Sequence, residues 1–220
     1  MKAEILKIDG NCPKAPDIKK AAGILQKGGI VALPTETVYG LAVNATDNNA
    51  LKRLYSIKKR PDNKPFTIQI ADRAQLASYI DEVPAGLKKI VDRFWPGPLT
   101  IITNGKSGKI GLRIPDNKVT LAVINEVKLP LAVTSANISG EKAVGSAKEV
   151  ADIFDESIDL IVDDGNIAGG VESTVLDCTV SPFKILRKGA IAKELEIFIS
   201  NNRYIIPIMF SYGHIFLFFM

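Results

Sequence analysis

Three stretches of this chain put hydroxyls, amides and glycines where a strand begins or ends. Ile30-Val31-Ala32-Leu33 is an unbroken apolar run between a glycine pair and Pro34, the pattern of a buried strand. It is followed by Thr35-Glu36-Thr37-Val38-Tyr39-Gly40: two hydroxyls, a carboxylate, a phenol and a glycine. Loops at strand ends are where sites are built, although the same groups also suit a hydrogen-bonded turn that caps the strand. The arrangement recurs. Leu129 to Val133 runs into Thr134-Ser135-Ala136-Asn137-Ile138-Ser139-Gly140, and Gly169-Gly170-Val171-Glu172-Ser173-Thr174 leads into a further strand.

Fixed cations are interspersed with these loops. Lys58, Arg60 and Lys64 lie at a helix end and in the loop after it, where they also read as a solvated terminus complementing the helix dipole. Arg113 alternates onto the face opposite Ile110, Leu112 and Ile114, and that face meets either solvent or a cleft. Arg187 ends a late strand. Neutral donors and guanidinium groups around one concavity suit a polyphosphate and a carboxylate, which arginine grips bidentately and lysine meets as a point charge.

Other chemistries are poorly served. The chain has one histidine among 220 residues, His214, so nucleophile–histidine pairs and histidine-ligated zinc are not expected; no residue is assigned to a metal. Cys12 and Cys178 match neither a metal spacing nor a disulfide framework, which points to a reducing cytoplasm. Lys106-Ser107-Gly108-Lys109 lacks the glycine spacing of a phosphate loop. A net charge of +4 permits an anionic ligand or occasional RNA contact without demanding a nucleic-acid platform. What remains is catalysis by positioning and charge neutralisation, as in phosphoryl or nucleotidyl transfer, which needs no general base. The pieces together suggest an ATP-using ligase or transferase.

The elements that must position these residues alternate between strand and helix. Strands are expected over Ala3–Asp9, Ile30–Leu33, Pro65–Ile70, Leu99–Thr103, Lys109–Ile114, Leu129–Val133, Ile158–Val162 and Phe183–Gly189. A helix capped by Asp17 runs to Gln26, and another opens at Asp47 and ends at Pro61. Further helices begin at Asp72, Pro84, Ser146 and Ala190. Trp95-Pro96-Gly97-Pro98 reads as a stiff structural turn. Several consecutive strands lack a crossover helix, so the expected fold is one α/β domain with a twisted, mixed sheet flanked by helices. That domain spans 1–200, and 201–220 is an apolar tail. Tyr204 to Met220 is almost wholly apolar but carries Pro207 and Gly213, and it falls short of the roughly 20 residues of a spanning helix. It reads as a packed segment, a partner-binding segment or a drifted end, and no membrane association is expected. The N-terminus has no apolar signal-peptide core.

Several motifs occur in one order. Pro34-Thr35-Glu36-Thr37-Val38-Tyr39-Gly40-Leu41 is followed by Lys58-x-Arg60-Pro61, Trp95-Pro96-Gly97-Pro98-Leu99-Thr100 and Arg113-x-Pro115. After these come Thr134-Ser135-Ala136-Asn137-x-Ser139-Gly140, Ser173-Thr174-Val175 and Leu186-Arg187-x-Gly189. From about Gly23 to Ala192 the chain closely resembles the YrdC-type threonylcarbamoyl-AMP synthase family, in its short, single-domain form. The resemblance implies an α/β domain curved around a large basic cavity. It also implies a reaction in which L-threonine, bicarbonate and ATP, accompanied by Mg²⁺, give threonylcarbamoyl-adenylate and pyrophosphate. A separate transferase then carries the product to tRNA.

The resemblance assigns Thr35, Thr37, Tyr39, Gln69, Arg113 and Ser173 to threonine, with Arg113 on its carboxylate. It assigns Lys58, Arg60, Lys64, Ser135, Asn137 and Arg187 to ATP, with Lys58 and Arg60 catalytic. The implied step is attack of a threonine N-carboxylate oxygen on the α-phosphorus. Many relatives carry glycine where this chain has Lys59 and histidine where it has Gln69. A different class of function, gripping RNA phosphates on the basic concave surface without chemistry, is the alternative.

Overall fold

The computed structural model describes residues 2–61, 64–165, 167 and 169–202. In chain order the elements are β1 (Glu4–Lys7), α1 (Ala15–Gln26), β2 (Val31–Leu33), β3 (Gly40–Asn44), α2 (Asn48–Lys58) and β4 (Thr67–Gln69). A short 3-10 turn leads into α3 (Leu76–Tyr79), followed by α4 (Ala85–Phe94), β5 (Leu99–Gly105), β6 (Gly108–Arg113) and α5 (Lys118–Val127). The remainder is β7 (Leu131–Ser135), α6 (Ala147–Phe154), β8 (Leu160–Asp163), β9 (Thr174–Asp177), β10 (Lys184–Arg187) and α7 (Ala192–Asn201). All the strands join one sheet in the order β1-β8-β2-β3-β7-β4-β6-β5-β9-β10. Pairing is parallel at β1–β8, β8–β2, β4–β6 and β5–β9 and antiparallel elsewhere, so the expected mixed α/β sheet is present.

Local chemistry explains the helix limits. Asp47 accepts hydrogen bonds from the Asn49 and Ala50 amides and opens α2. That helix ends at Lys58, before Pro61, because Lys59 takes a left-handed turn with φ 48°. Asp17 does not cap α1. Pro16, fixed in φ, starts the helix early, and Asp17 lies in its first turn. Ser146 caps α6 by accepting from the Glu149 amide. In α4 the buried residues Leu87, Ile90, Val91 and Phe94 recur at helical spacing.

Two elements lay outside the sequence expectations. β3 pairs antiparallel with β2, Leu33 opposite Gly40, so Pro34–Tyr39 is the connection between adjacent strands. α5 fills the stretch after Arg113 and packs Val119, Val123 and Val127 inward.

The distribution of helices over the sheet creates the site. In the half formed by β1, β8, β2, β3 and β7, both faces are covered. Ala50, Leu54, Val150 and Phe154 of α2 and α6 pack with Ile30, Leu41, Val43 and Ile161. Ala21, Leu25, Val119 and Val123 of α1 and α5 pack with Val31, Leu33, Ala42 and Val162. In the half formed by β4, β6, β5 and β9, Ile101, Leu112 and Leu176 meet α4 and α7. The alternate residues Gln69, Arg113, Thr100 and Val175 face the other way and line a cavity.

Candidate active site

The cavity has a volume of about 380 Å³ and its floor is the sheet itself, within the range of small-molecule sites. One row of side chains crosses five strands. Gln69 is in register with Arg113, and Ile101 opposite Leu112 sets Thr100 beside Arg113. Thr100 is in register with Val175, and Val175 with Arg187. A second row, Val133, Thr67, Gly111 and Ile102, lies alongside. The charged lining residues among those described are Arg60, Lys109, Arg113 and Arg187, with Glu172 as the one carboxylate.

The β2–β3 connection forms the wall around Arg113. The Thr35 hydroxyl donates to the Val38 carbonyl at 2.6 Å, accepts from the Thr37 and Val38 amides, and sits 2.8 Å from the Thr37 hydroxyl. Arg113 is 6% exposed, and its Nη2 donates to Thr37 Oγ1 at 2.9 Å. The same nitrogen is 2.9 Å from Glu36 Oε1, an ion-pair distance without hydrogen-bond alignment. Among the described residues, Arg113 Nε and Gln69 Oε1 are buried without hydrogen-bond partners, as are both Glu36 carboxylate oxygens. A buried donor and acceptor left open side by side are costly unless something else meets them. Burial, reinforced by Asp163 and Asp164, pushes the Tyr39 phenol upward, so it stays protonated, 3.5 Å from the Gly165 carbonyl.

The opposite side is held by Arg187. Its Nε donates to the Ser173 carbonyl at 3.0 Å and its Nη2 to Ser173 Oγ at 3.1 Å, while Nη1 pairs with Glu172 at 2.8 Å. Ser173 Oγ is 2.9 Å from Thr100 Oγ1. Gly189 makes this approach feasible, because a Cβ there would overlap the Glu172 carbonyl and the Ser173–Thr174 peptide. Gly169 does the same between loops: a Cβ would lie 2.5 Å from the Glu36 carbonyl.

Eight of the expected site residues line the cavity: Thr35, Tyr39, Arg60, Gln69, Arg113, Ser135, Ser173 and Arg187. The other four stand elsewhere. Thr37 supports Arg113. Lys58 is 1% exposed and lies behind the wall, donating to the Ser135 carbonyl, the Asn137 carbonyl at 2.6 Å and Asn137 Oδ1 at 2.8 Å. Burial, with the Arg60 charge second, lowers its ammonium to about 8. Asn137 ties this lysine to the Ser135 hydroxyl, which donates to its Oδ1 at 2.7 Å. The Lys64 side chain is exposed, and its carbonyl accepts from Arg60 Nε at 2.8 Å. Arg60 also donates to the Pro65 carbonyl and stacks over Phe66, 5.2 Å from the ring centroid. Lys109, Thr100 and Glu172 line the cavity without having been singled out. Alternation with Arg113 along one strand was the available signal for Lys109.

Residues 23–189 match the family model Sua5_yciO_yrdC, described as telomere recombination. The chain belongs to the Sua5/YciO/YrdC family. Within that family it is 41% identical over 197 residues to a threonylcarbamoyl-AMP synthase of Pyrococcus abyssi, covering 84% of this chain and 58% of the relative. It is also 41% identical over 190 residues to the threonylcarbamoyl-AMP synthase of Bacillus subtilis, covering 81% of this chain and 55% of that one. The crystal structure of P. abyssi Sua5 complexed with L-threonine superposes with a TM-score of 0.80 at 38% identity, covering 84% of this chain and 57% of that chain. The chain thus spans a little over half the length of these Sua5/YciO/YrdC relatives. Among the described residues no group of three or more His, Cys, Asp or Glu side chains is placed to hold a metal ion. No described helix is long and apolar enough to cross a membrane.

Proposed function

We propose that this chain condenses L-threonine, bicarbonate and ATP to threonylcarbamoyl-adenylate and pyrophosphate, the first step of threonylcarbamoyladenosine formation in tRNA. The observation that carries the reading is the Arg113–Gln69 pair, a buried guanidinium with an open Nε beside an open amide on the cavity floor. Such a pair suits a carboxylate, and the Thr35, Thr37, Thr100 and Ser173 hydroxyls surround it. An amide's two ends are interchangeable, so Gln69 can present its N–H₂ to the same anion. It hydrogen-bonds without adding charge, where a protonated histidine would add one.

In this reading Arg113, Gln69, Thr35, Thr37, Tyr39 and Ser173 bind threonine. Arg60, Arg187, Lys64 and Ser135 serve the nucleotide and its phosphates. Lys58 and Asn137 act on the same side by holding the Ser135–Asn137 loop in place. The threonine amine bonds to the bicarbonate carbon and a bicarbonate oxygen leaves as water, which gives the N-carboxylate; one of its oxygens then forms a bond to the α-phosphorus. The bond from that phosphorus to the bridging oxygen breaks, and pyrophosphate leaves with the electron pair. The cavity cations offset the negative charge that gathers there. Mg²⁺ enters as the partner of the triphosphate, part of the substrate. The catalytic domain is residues 1–200 and acts in the cytoplasm, and a tRNA-modifying transferase consumes the product; 201–220 falls almost wholly outside the described residues.

The test is pyrophosphate release by purified protein from ATP with Mg²⁺, with L-threonine and bicarbonate each present or omitted, and with L-serine as control. Release that requires both threonine and bicarbonate is expected. Release independent of threonine, or none from folded protein, would overturn the reading.

A further inference from the structure

Gly111 is a glycine that neither the backbone nor the packing requires. Its φ lies outside the left-handed region, unlike that of Gly28, Gly97 or Gly108. A Cβ built on it would meet Thr67 Oγ1 at 3.4 Å, Thr67 Cα at 3.7 Å and the Ile101 carbonyl at 3.9 Å, which are ordinary contacts. Gly40, the other glycine on the cavity floor, differs: a Cβ there would press on Val133 Cγ1 at 2.8 Å. Gly111 sits inside β6, where glycine is destabilising relative to alanine. What a side chain at 111 would occupy is the cavity.

Its surroundings say what lies there. Lys109, Gly111 and Arg113 point to the same side of β6, and all three line the cavity. Gly111 is flanked across the sheet by Thr67 on β4 and Ile102 on β5. Arg113, two residues on, stands roughly 7 Å further along the strand. Among the described residues nothing beyond Arg113 on β6 or beyond Gln69 on β4 lines the cavity, so it extends from this pair toward Gly111 and Lys109, and a ligand whose carboxylate rests on the pair has its room over the Gly111 Cα.

We propose that Gly111 sets substrate size in this site: its bare Cα is the floor beneath the α- and β-carbons of a short α-amino acid held by Arg113. The inference rests on the threonine reading above and adds the residue that limits the side chain. Larger residues at 111 fill the space that the amino acid needs, and a short polar side chain is the chemistry that Thr67 and Ile102 leave room for.

The experiment is L-threonine binding by calorimetry to wild type, G111A and G111V, with a thermal melt of each. Wild type binds threonine, G111A melts at or above the wild-type temperature, and its threonine affinity falls at least tenfold. G111V, if folded, shows no measurable binding. Threonine affinity of G111A within twofold of wild type would overturn the proposal. A lower melting temperature for G111A would also overturn it, because packing would then account for the glycine. Failure of wild type itself to bind threonine would overturn the threonine reading and this inference with it, whereas normal wild-type binding with a tolerant G111A removes the inference alone.

Discussion

Lys58→Met removes a buried ammonium while keeping most of its volume. In the folded protein burial and the Arg60 charge lower this group to about 8, against an ordinary value of 10.5. The gap corresponds to about 3 kcal/mol by which the surroundings disfavour the charged form. The folded value lies below the unfolded one, so this cost is fully present below about pH 8 and is relieved as pH rises toward about 10.5. Linkage then gives the wild type about 2 kcal/mol between about pH 7 and about pH 9.5 from Lys58 alone. The methionine variant has no group to titrate there, and all other ionisations are common to both proteins. Urea denaturation of both at the two pH values isolates this contribution: the stability of the wild type relative to the variant rises by about 2 kcal/mol from the lower pH to the higher. A difference that stays constant within about 0.5 kcal/mol would refute the reasoning, and would mean that the carbonyl cradle offsets desolvation completely. The variant also leaves the Ser135 and Asn137 carbonyls without their lysine donor. A displaced Ser135–Asn137 loop then costs ATP-dependent turnover about 10²-fold, as small misplacements do.

Arg113→Ala deletes the charge-assisted contact proposed for the threonine carboxylate, worth about 1.5–3 kcal/mol. The apparent threonine KM should rise about 10- to 100-fold with the ATP KM little changed in steady-state pyrophosphate release, and a selective rise in the ATP KM would contradict the role. Lys59→Gly should stabilise the protein by about 1 kcal/mol, because Lys59 occupies a left-handed conformation at φ 48° at the end of α2. A thermal melt shows it, and a fall in Tm would mean that the exposed Lys59 side chain makes a contact that matters.

Much of the fold was legible because its strands are punctuated. Glycine, proline and hydroxyl clusters bound β2, β7 and β9, and helices α2 and α6 carry their caps at Asp47 and Ser146. β3 escaped because its polar neighbours Thr35–Tyr39 drew the whole stretch into one loop. Its Gly40–Asn44 residues are all buried, so no alternation marked a strand. α5 escaped because Lys118–Val127 is apolar on most sides, although Asn117 accepts from the Thr120 amide as a cap. At the site, residue types named the participants but not their orientation. Lys58 belongs to the last turn of α2, where a cation reads as solvated, yet the 135–137 carbonyls draw it inward. The face of Arg113 was open between solvent and cleft until the helices were placed, since the cavity exists where α1 and α5 stop covering the sheet. Lys109 gave no sign of its own beyond sharing a strand face with Arg113.

The most direct measurement is product identification. Purified protein is supplied with Mg²⁺, ATP, L-threonine and ¹³C-bicarbonate, and the adenylate product is read by mass spectrometry. The account predicts a threonylcarbamoyl-adenylate heavier by one mass unit than that made from ordinary bicarbonate, and none from Arg113→Ala at low threonine. ATP cleavage that yields no threonine-containing adenylate, or a threonine adduct without the label, would contradict it.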